Sequence, residues 1–222
     1  MDLSAQIDLP RGARVLDVGC GIGGASRYFA QERGWRLDGI DLTPEYVEVA
    51  GSLSRRVGLA DAISYHKASA SALPFPAATF DGAYMLHVGM NIADKRTTFA
   101  EIRRTLKRGG VFVIYDVMRE SDGEFAYPVP WSSEPATNFI DTAESYKQLL
   151  RAAGFAVEKE RSRGDFAREF FKQMRARMAA GGPQPPGLQI VMGATAPQKV
   201  ANMIGMLERG VLAPTELFTR AA

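Results

Sequence analysis

Cysteine and histidine are nearly absent: Cys20 stands alone, and His66 and His87 are the only histidines in 222 residues. One thiol closes no intramolecular disulfide and builds no thiolate zinc site, and two imidazoles are too few for a histidine-rich centre. No metal is therefore expected. Long apolar runs are missing too, and none approaches the ~20 residues of a membrane-spanning helix. The opening Met1-Asp2-Leu3-Ser4 lacks the basic and apolar regions of a signal peptide. Nor is there an excess of charge: 27 Lys+Arg against 25 Asp+Glu leave +2, too balanced for a chain built around nucleic acid or a membrane surface. The 46% hydrophobic and 23% charged residues are those of a globular protein. At ~150 residues per domain the length fits a single domain, 1–222. The expectation is a cytoplasmic enzyme with a small-molecule partner, neither nucleic acid nor membrane, as a monomer or homodimer.

Strand and helix signals alternate. The apolar run 14–18 ends in Gly19-Cys20-Gly21-Ile22-Gly23-Gly24, and an amphipathic stretch to about residue 32 follows: strand, tight loop, helix. Residues 35–41 read as a second strand. Thr43-Pro44-Glu45 opens a helix to about residue 57 with a cap residue, a first-turn proline and an early acid. Strands are expected over 62–66, 80–86 and 111–115, with a helix over 94–107 ended by Gly109-Gly110. Beyond them come a loop to residue 141, a helix over 142–153 and a strand over 155–160. A helix over 165–180, a glycine- and proline-rich break at 181–187, a helix over 197–208 and a last strand over 213–219 complete the chain. This alternation implies an α/β, doubly wound, mostly parallel sheet covered on both faces. Ligands on such sheets bind at the carboxyl ends of the strands, where 19–24, Asp41, Leu86, His87 and Tyr115 fall.

Gly19, Gly21 and Gly24 satisfy G-x-G-x-x-G, and Asp41 lies at the end of the second strand. That is a nucleotide fingerprint: glycines admit the ligand to the backbone, and the acid accepts hydrogen bonds from ribose hydroxyls. Asp17 separates the candidates. A dinucleotide would press its pyrophosphate against the loop and helix N-terminus, where this carboxylate repels it. S-adenosylmethionine has no phosphate but carries an ammonium and a sulfonium, which a carboxylate attracts. No tyrosine is followed four residues later by lysine, the acid–base pair of short-chain dehydrogenases, so an NAD-dependent oxidoreductase is the weaker alternative.

The sequence resembles class I S-adenosylmethionine-dependent methyltransferases. Val15-Leu16-Asp17-Val18-Gly19-Cys20-Gly21 is similar to their first motif and Gly39-Ile40-Asp41-Leu42 to their second. Ala72-Leu73-Pro74-Phe75 with Phe80-Asp81, and Leu106-Lys107-Arg108-Gly109-Gly110, match the adenine loop and the turn before the fifth strand. Within that superfamily, residues 87–95, Tyr115-Asp116-Val117-Met118 and Tyr127-Pro128-Val129-Pro130-Trp131 resemble the sarcosine/dimethylglycine N-methyltransferase type. The resemblance implies a seven-stranded Rossmann-like sheet with a helical insertion before the last strand. It places Asp17 and the Gly19, Cys20 and Gly21 backbone at the methionine moiety, Asp41 at the ribose, and Leu42, Ser69 and Ala70 around the adenine. Leu86 and His87 would lie near the sulfonium. Ser69 stands where the family usually has Asp, so its hydrogen bond lacks charge assistance.

Family members commonly carry several tens of residues before the first motif as a flap, whereas here that motif begins at Val15. The cofactor core is then 1–118, and 119–141 and 162–210 are the expected acceptor loop and lid. Five of nine methionines (Met174, Met178, Met192, Met203, Met206) fall in the latter, suited to an adaptable pocket wall. Methyl transfer is an in-line displacement in which the protein supplies alignment. A base is needed only for a protonated acceptor, and His87 and Tyr115 are the candidates. Asn91, Tyr127, Trp131 and Met192 are the expected acceptor contacts, since aromatic faces attract ammonium groups. An amine nitrogen is the expected acceptor; O- or C-methylation, or cofactor binding without turnover, are the alternatives.

Overall fold

The computed structural model describes residues 2–179, 181 and 192–222. A short helix α1 (Asp2–Ala5) leads into β1 (Arg14–Val18), α2 (Gly24–Arg33), β2 (Arg36–Asp41), α3 (Pro44–Arg56), β3 (Ile63–Lys67) and β4 (Phe80–Leu86). Then follow α4 (Lys95–Thr105), β5 (Leu106–Arg119), α5 (Ala143–Ala152), β6 (Phe155–Ser162), α6 (Gly164–Ala179), α7 (Ala196–Glu208) and β7 (Leu212–Ala221). The seven strands form one sheet in the order β3-β2-β1-β4-β5-β7-β6. The first five are parallel, and β7 slots antiparallel between β5 and β6. The doubly wound α/β architecture and its seven strands are as expected. Because the order reverses between β1 and β4, their carboxyl ends open a crevice.

Two cores flank the sheet. Leu16, Val18, Met85, Phe112 and Ile114 face α4 and α5 through Phe99, Ile102 and Leu150. Val15, Tyr84, Val113 and Phe218 face Phe29 of α2 and the chain entering from Ile7. Residues 111–114 of β5 are apolar throughout because both faces of the strand are buried there. A third core joins Met90, Val117 and Val129 to Ala167, Met206, Leu207 and Leu212. The described part of the expected lid thus packs on the expected acceptor loop. Asn202 donates to the Pro128 carbonyl at 2.9 Å, and the Ala126 amide donates to Met206 Sδ at 3.3 Å.

Several boundaries differ from expectation, among them the end of β5, which runs to Arg119 and leaves Tyr115 within the strand rather than at its end. The helix expected over 94–107 stops at Thr105, and β5 starts at Leu106 rather than 111. Leu106 pairs with Phe80 but Val111 with Gly82. Gly109, at φ +75°, therefore serves a bulge in the strand rather than a helix cap, which a glycine pair alone does not distinguish. The glycine- and proline-rich break at 181–187 lies, apart from Gly181, outside the described residues.

Beneath the loop after β4 is a buried polar joint. The Tyr146 hydroxyl donates to Asp116 Oδ2 at 2.9 Å and the Val117 amide to Oδ1 at 3.0 Å. Buried Lys95 donates to the carbonyls of Ile92 and Phe139. Burial raises the Asp116 pKa to about 7, against the lowering by these hydrogen bonds. Gly89 lies directly on the pair: a Cβ there would come within 2.3 Å of the Tyr146 oxygen and 2.4 Å of Asp116 Oδ2. Gly89→Ala should therefore lose about 1–3 kcal/mol of stability by overpacking, read as a lower urea midpoint with an unchanged slope.

Candidate functional site

The glycine loop closes β1 against β2. The amides of Gly19 and Cys20 both donate to the Ile40 carbonyl, at 2.9 and 2.8 Å. Gly19, Gly21 and Gly23 take φ of +74°, +51° and +76°, values that L side chains rarely adopt. The third glycine the loop needs is thus Gly23, not Gly24. A Cβ on Gly23 would meet the Tyr65 hydroxyl at 2.3 Å, and one on Gly19 the Val88 side chain at 2.5 Å, whereas Gly21 and Gly24 face open space. Asp41 binds the loop directly: Oδ2 accepts from the Gly21 amide and Oδ1 from the Thr43 amide, each at 2.9 Å. A carboxylate retains further acceptor sites after two such bonds. Beside it Leu42 and Ile22 are exposed, at 67% and 42%, apolar surface beside a polar loop. Cys20 is buried with its thiol pKa pushed up by burial and by Asp17 and Asp41, so it is inert filler.

Asp17 is almost fully buried. Its Oδ2 accepts from the Ser26 hydroxyl at 2.5 Å and the Tyr84 hydroxyl at 2.8 Å. The carboxylate thereby ties β1 to α2 and to β4 from beneath the loop. Burial raises its pKa to about 6, the two hydroxyls acting in the opposite direction and Asp41 adding to the rise. Ser26 carried no signal in the sequence beyond its place in α2. Ser69 turns inward on its own segment: its hydroxyl lies 2.8 Å from that of Ser71 and accepts from the Ser71 amide. Ala70 packs against the core on the α4 and α5 side of the sheet.

His87 follows the end of β4 and Tyr115 lies within β5 at the same level, and their rings meet with centroids 4.7 Å apart. The His87 amide donates to the Tyr115 carbonyl at 2.7 Å, holding the residue at φ +59°. Surrounding protein pushes the imidazole pKa down to about 4, while the residue keeps an exposed face that moderates the shift. At neutral pH the ring is uncharged. Neither the His87 ring nor the Tyr115 hydroxyl has a hydrogen-bond partner among the described residues. By contrast, Tyr84 and Tyr146 each commit their hydroxyl to a carboxylate. Leu86 pairs with Tyr115 across the sheet and lies half-buried beside them.

The remaining expected contacts divide. Asn91 is exposed in the turn after His87. Tyr127 and Trp131 are drawn together by Asn138, whose amide donates to the Tyr127 oxygen at 2.7 Å while its carbonyl accepts from the Trp131 indole at 2.8 Å. Phe125 packs on both. These bonds pin the loop to the third core, and Asn138 was not foreseen. Met192 is partly buried just before α7, and Met206 is core. Among the described residues no cluster of side chains suits a metal ion, and no helix is long and apolar enough to cross a membrane.

Residues 16–114 match the family model described as a methyltransferase domain. A sterol 24-C-methyltransferase of Eremothecium gossypii is 37% identical over 123 residues, 55% of this chain and 33% of that protein. A phosphoethanolamine N-methyltransferase of Triticum aestivum is 32% identical over 176 residues, 78% of this chain and 33% of that protein. The chain thus spans about a third of either relative's length. Among solved structures, the (4+2)-cyclase SpnF superposes with TM-score 0.77 at 26% identity, covering 99% of this chain and 79% of that one. A candidate sarcosine dimethylglycine methyltransferase from Galdieria sulphuraria gives 0.80 at 23%, covering 100% and 83%. Residues 16–114 thus carry a methyltransferase domain, and the sheet order and the glycine loop give the chain the fold of the class I S-adenosylmethionine-dependent methyltransferases.

The buried carboxylate makes a measurable prediction. Raising an acid's folded pKa from 3.8 to about 6 disfavours its charged form, a cost on the order of 3 kcal/mol above pH 6. That cost disappears as pH falls below 4. Asp17→Asn keeps an acceptor for both hydroxyls, so the variant without ligand should be at least as stable as the parent at pH 8. Its advantage should shrink between pH 6 and 4, as read by urea unfolding.

Proposed function

We propose that the chain binds S-adenosylmethionine over the glycine loop and transfers its methyl group to a small-molecule acceptor, at an amine nitrogen. The observation that carries this reading is the His87–Tyr115 pair: two polar groups without protein partners among the described residues, at the level where β4 ends and beside a loop with open backbone at Gly21. The donor set fits the cofactor. Asp41 has acceptor capacity for ribose hydroxyls, Leu42 and Ile22 offer apolar surface to the adenine, and Asp17 supplies negative charge beneath the loop. Bound there, the cofactor supplies an electrophilic methyl on a sulfonium, and the protein's part is alignment. A neutral His87 accepts a hydrogen bond from an acceptor amine, whose proton is lost to solvent, and Tyr115 orients the nitrogen. Residues 119–141 and the described part of 162–210, which share the third core, wall the acceptor side.

The relatives' names support methylation of both carbon and nitrogen. The nitrogen reading rests on the uncharged base and on the Tyr127 and Trp131 rings, which favour a cation. SpnF, named a cyclase, supports a second reading, in which a chemistry other than methyl transfer occurs on this fold.

Calorimetric titration with S-adenosylhomocysteine should give micromolar binding, and Asp41→Ala should weaken it at least tenfold by removing the ribose acceptor and freeing the Gly21 amide. Because a cationic ligand favours ionised Asp17, affinity should fall as pH drops below 6. NADH binding in place of S-adenosylhomocysteine would reverse the reading. With labelled cofactor and an amine panel, His87→Ala should lower kcat at least tenfold with unchanged S-adenosylhomocysteine affinity. The acid limb of the parent's kcat/KM should lie below pH 6.5, in keeping with the depressed imidazole pKa.

A further inference from the structure

Lys95 is a cation in a place that does not favour one. It is 6% exposed and is the first residue of α4, where the helix dipole presents its positive end. Burial pulls its pKa down, and Asp141 and Asp116 oppose the fall. What the ammonium holds explains why it is there. Its Nζ donates to the Ile92 carbonyl at 2.9 Å and to the Phe139 carbonyl at 2.5 Å, and it stands 5.5 Å from the centre of the Tyr146 ring. Ile92 closes the turn that follows His87, its own amide donating to the Gly89 carbonyl at 3.0 Å. Phe139 is bonded on its other side as well, its amide donating to the Met90 carbonyl at 2.9 Å. Asn138, one residue earlier, holds Tyr127 and Trp131. One ammonium thus joins the loop after β4, with the proposed base, to the loop after β5, with the proposed acceptor contacts, across 44 positions of sequence.

We infer that Lys95 is a positioning residue of the acceptor site, clamping the loop that carries Tyr127 and Trp131 against the turn that carries His87. The inference rests on the acceptor site proposed above and adds a residue that acts through both loops. A charged donor makes hydrogen bonds about twice as strong as a neutral one, and a single ammonium has three N–H groups to share between two carbonyls. The two ends of the turn are held separately. Gly89 is fixed by Asp116, which also accepts from Tyr146, and Ile92 is fixed by Lys95. Removing the ammonium therefore frees the acceptor loop while Asp116 still holds the turn near His87.

The chain has two tryptophans, Trp35 in the core beside α2 and Trp131 in the acceptor loop, so their indole N–H signals in NMR compare the loop with an internal standard. Lys95→Met keeps the length and removes the donors. It should speed hydrogen exchange at the Trp131 indole at least tenfold and leave Trp35 unchanged, with unchanged S-adenosylhomocysteine affinity. With labelled cofactor and an amine that the parent methylates, KM for the amine should rise about tenfold, the scale of a misplaced contact, while kcat changes less than threefold. Lys95→Gln restores neutral donors and should recover part of both effects; it carries the test if Lys95→Met does not fold. Equal acceleration at both tryptophans, no acceleration at Trp131 in whichever variants fold, or a fall in kcat with KM unchanged overturns the inference. The proposed methyltransferase function is overturned separately, by failure of S-adenosylhomocysteine to bind the parent.

Discussion

The upper edge of the sheet hangs on the buried Asp17 carboxylate. It accepts the hydroxyls of Ser26 and Tyr84, and so joins the two central strands to the helix that follows the loop. Hydrogen bonds to a charged group are worth about 1.5–3 kcal/mol each, while desolvation opposes the charge and lifts its pKa to about 6. The carboxylate is therefore kept in a costly state under a loop that a cationic ligand would occupy. A positive charge above it relieves that cost, and a phosphate would deepen it. Stability of the empty protein and affinity for a cation are then set by the same group in opposite senses.

Around that joint the site divides by commitment of polar groups. Asp116, Tyr146, Lys95 and Gly89 form a closed arrangement that fixes the chain from His87 to Ile92. Their chemistry is spent on holding position. His87 and Tyr115, one strand end away, are left without partners among the described residues. The same contrast appears at the loop after β5, where Asn138 ties Tyr127 to Trp131. Rings that the sequence offers as cation binders are also the pins of a proline-rich segment, and one geometry serves both. A third core then carries α6 and α7 over that loop.

The antiparallel β7 has consequences beyond the fold. By inserting between β5 and β6 it carries Glu216 beside Tyr115 and draws Arg161 into the same row. Residues more than forty positions apart thus form one polar track. Without that insertion β6 would flank β5 directly.

Local patterns alone were enough for the parallel half. The apolar runs at β1, β2, β4 and β5, the cap and proline before α3, and the loop with Asp41 each follow from periodicity and backbone freedom within a few residues. The fold class, the cofactor loop and the placement of His87 at the end of β4 were legible for that reason, whereas β5 runs four residues past Tyr115. Other features depend on what lies across the structure. Gly23 rather than Gly24 carries the third positive φ, and Tyr65 stands where its Cβ would be. Gly109 serves a bulge because Phe80 pairs with Leu106. Ser26, Asn138 and the Glu216–Arg161 pair acquire their roles only from partners distant in the chain, through contacts that no spacing rule encodes. Packing chooses those partners, since a buried carboxylate or amide must be satisfied by whatever side chains the folded layers bring within reach.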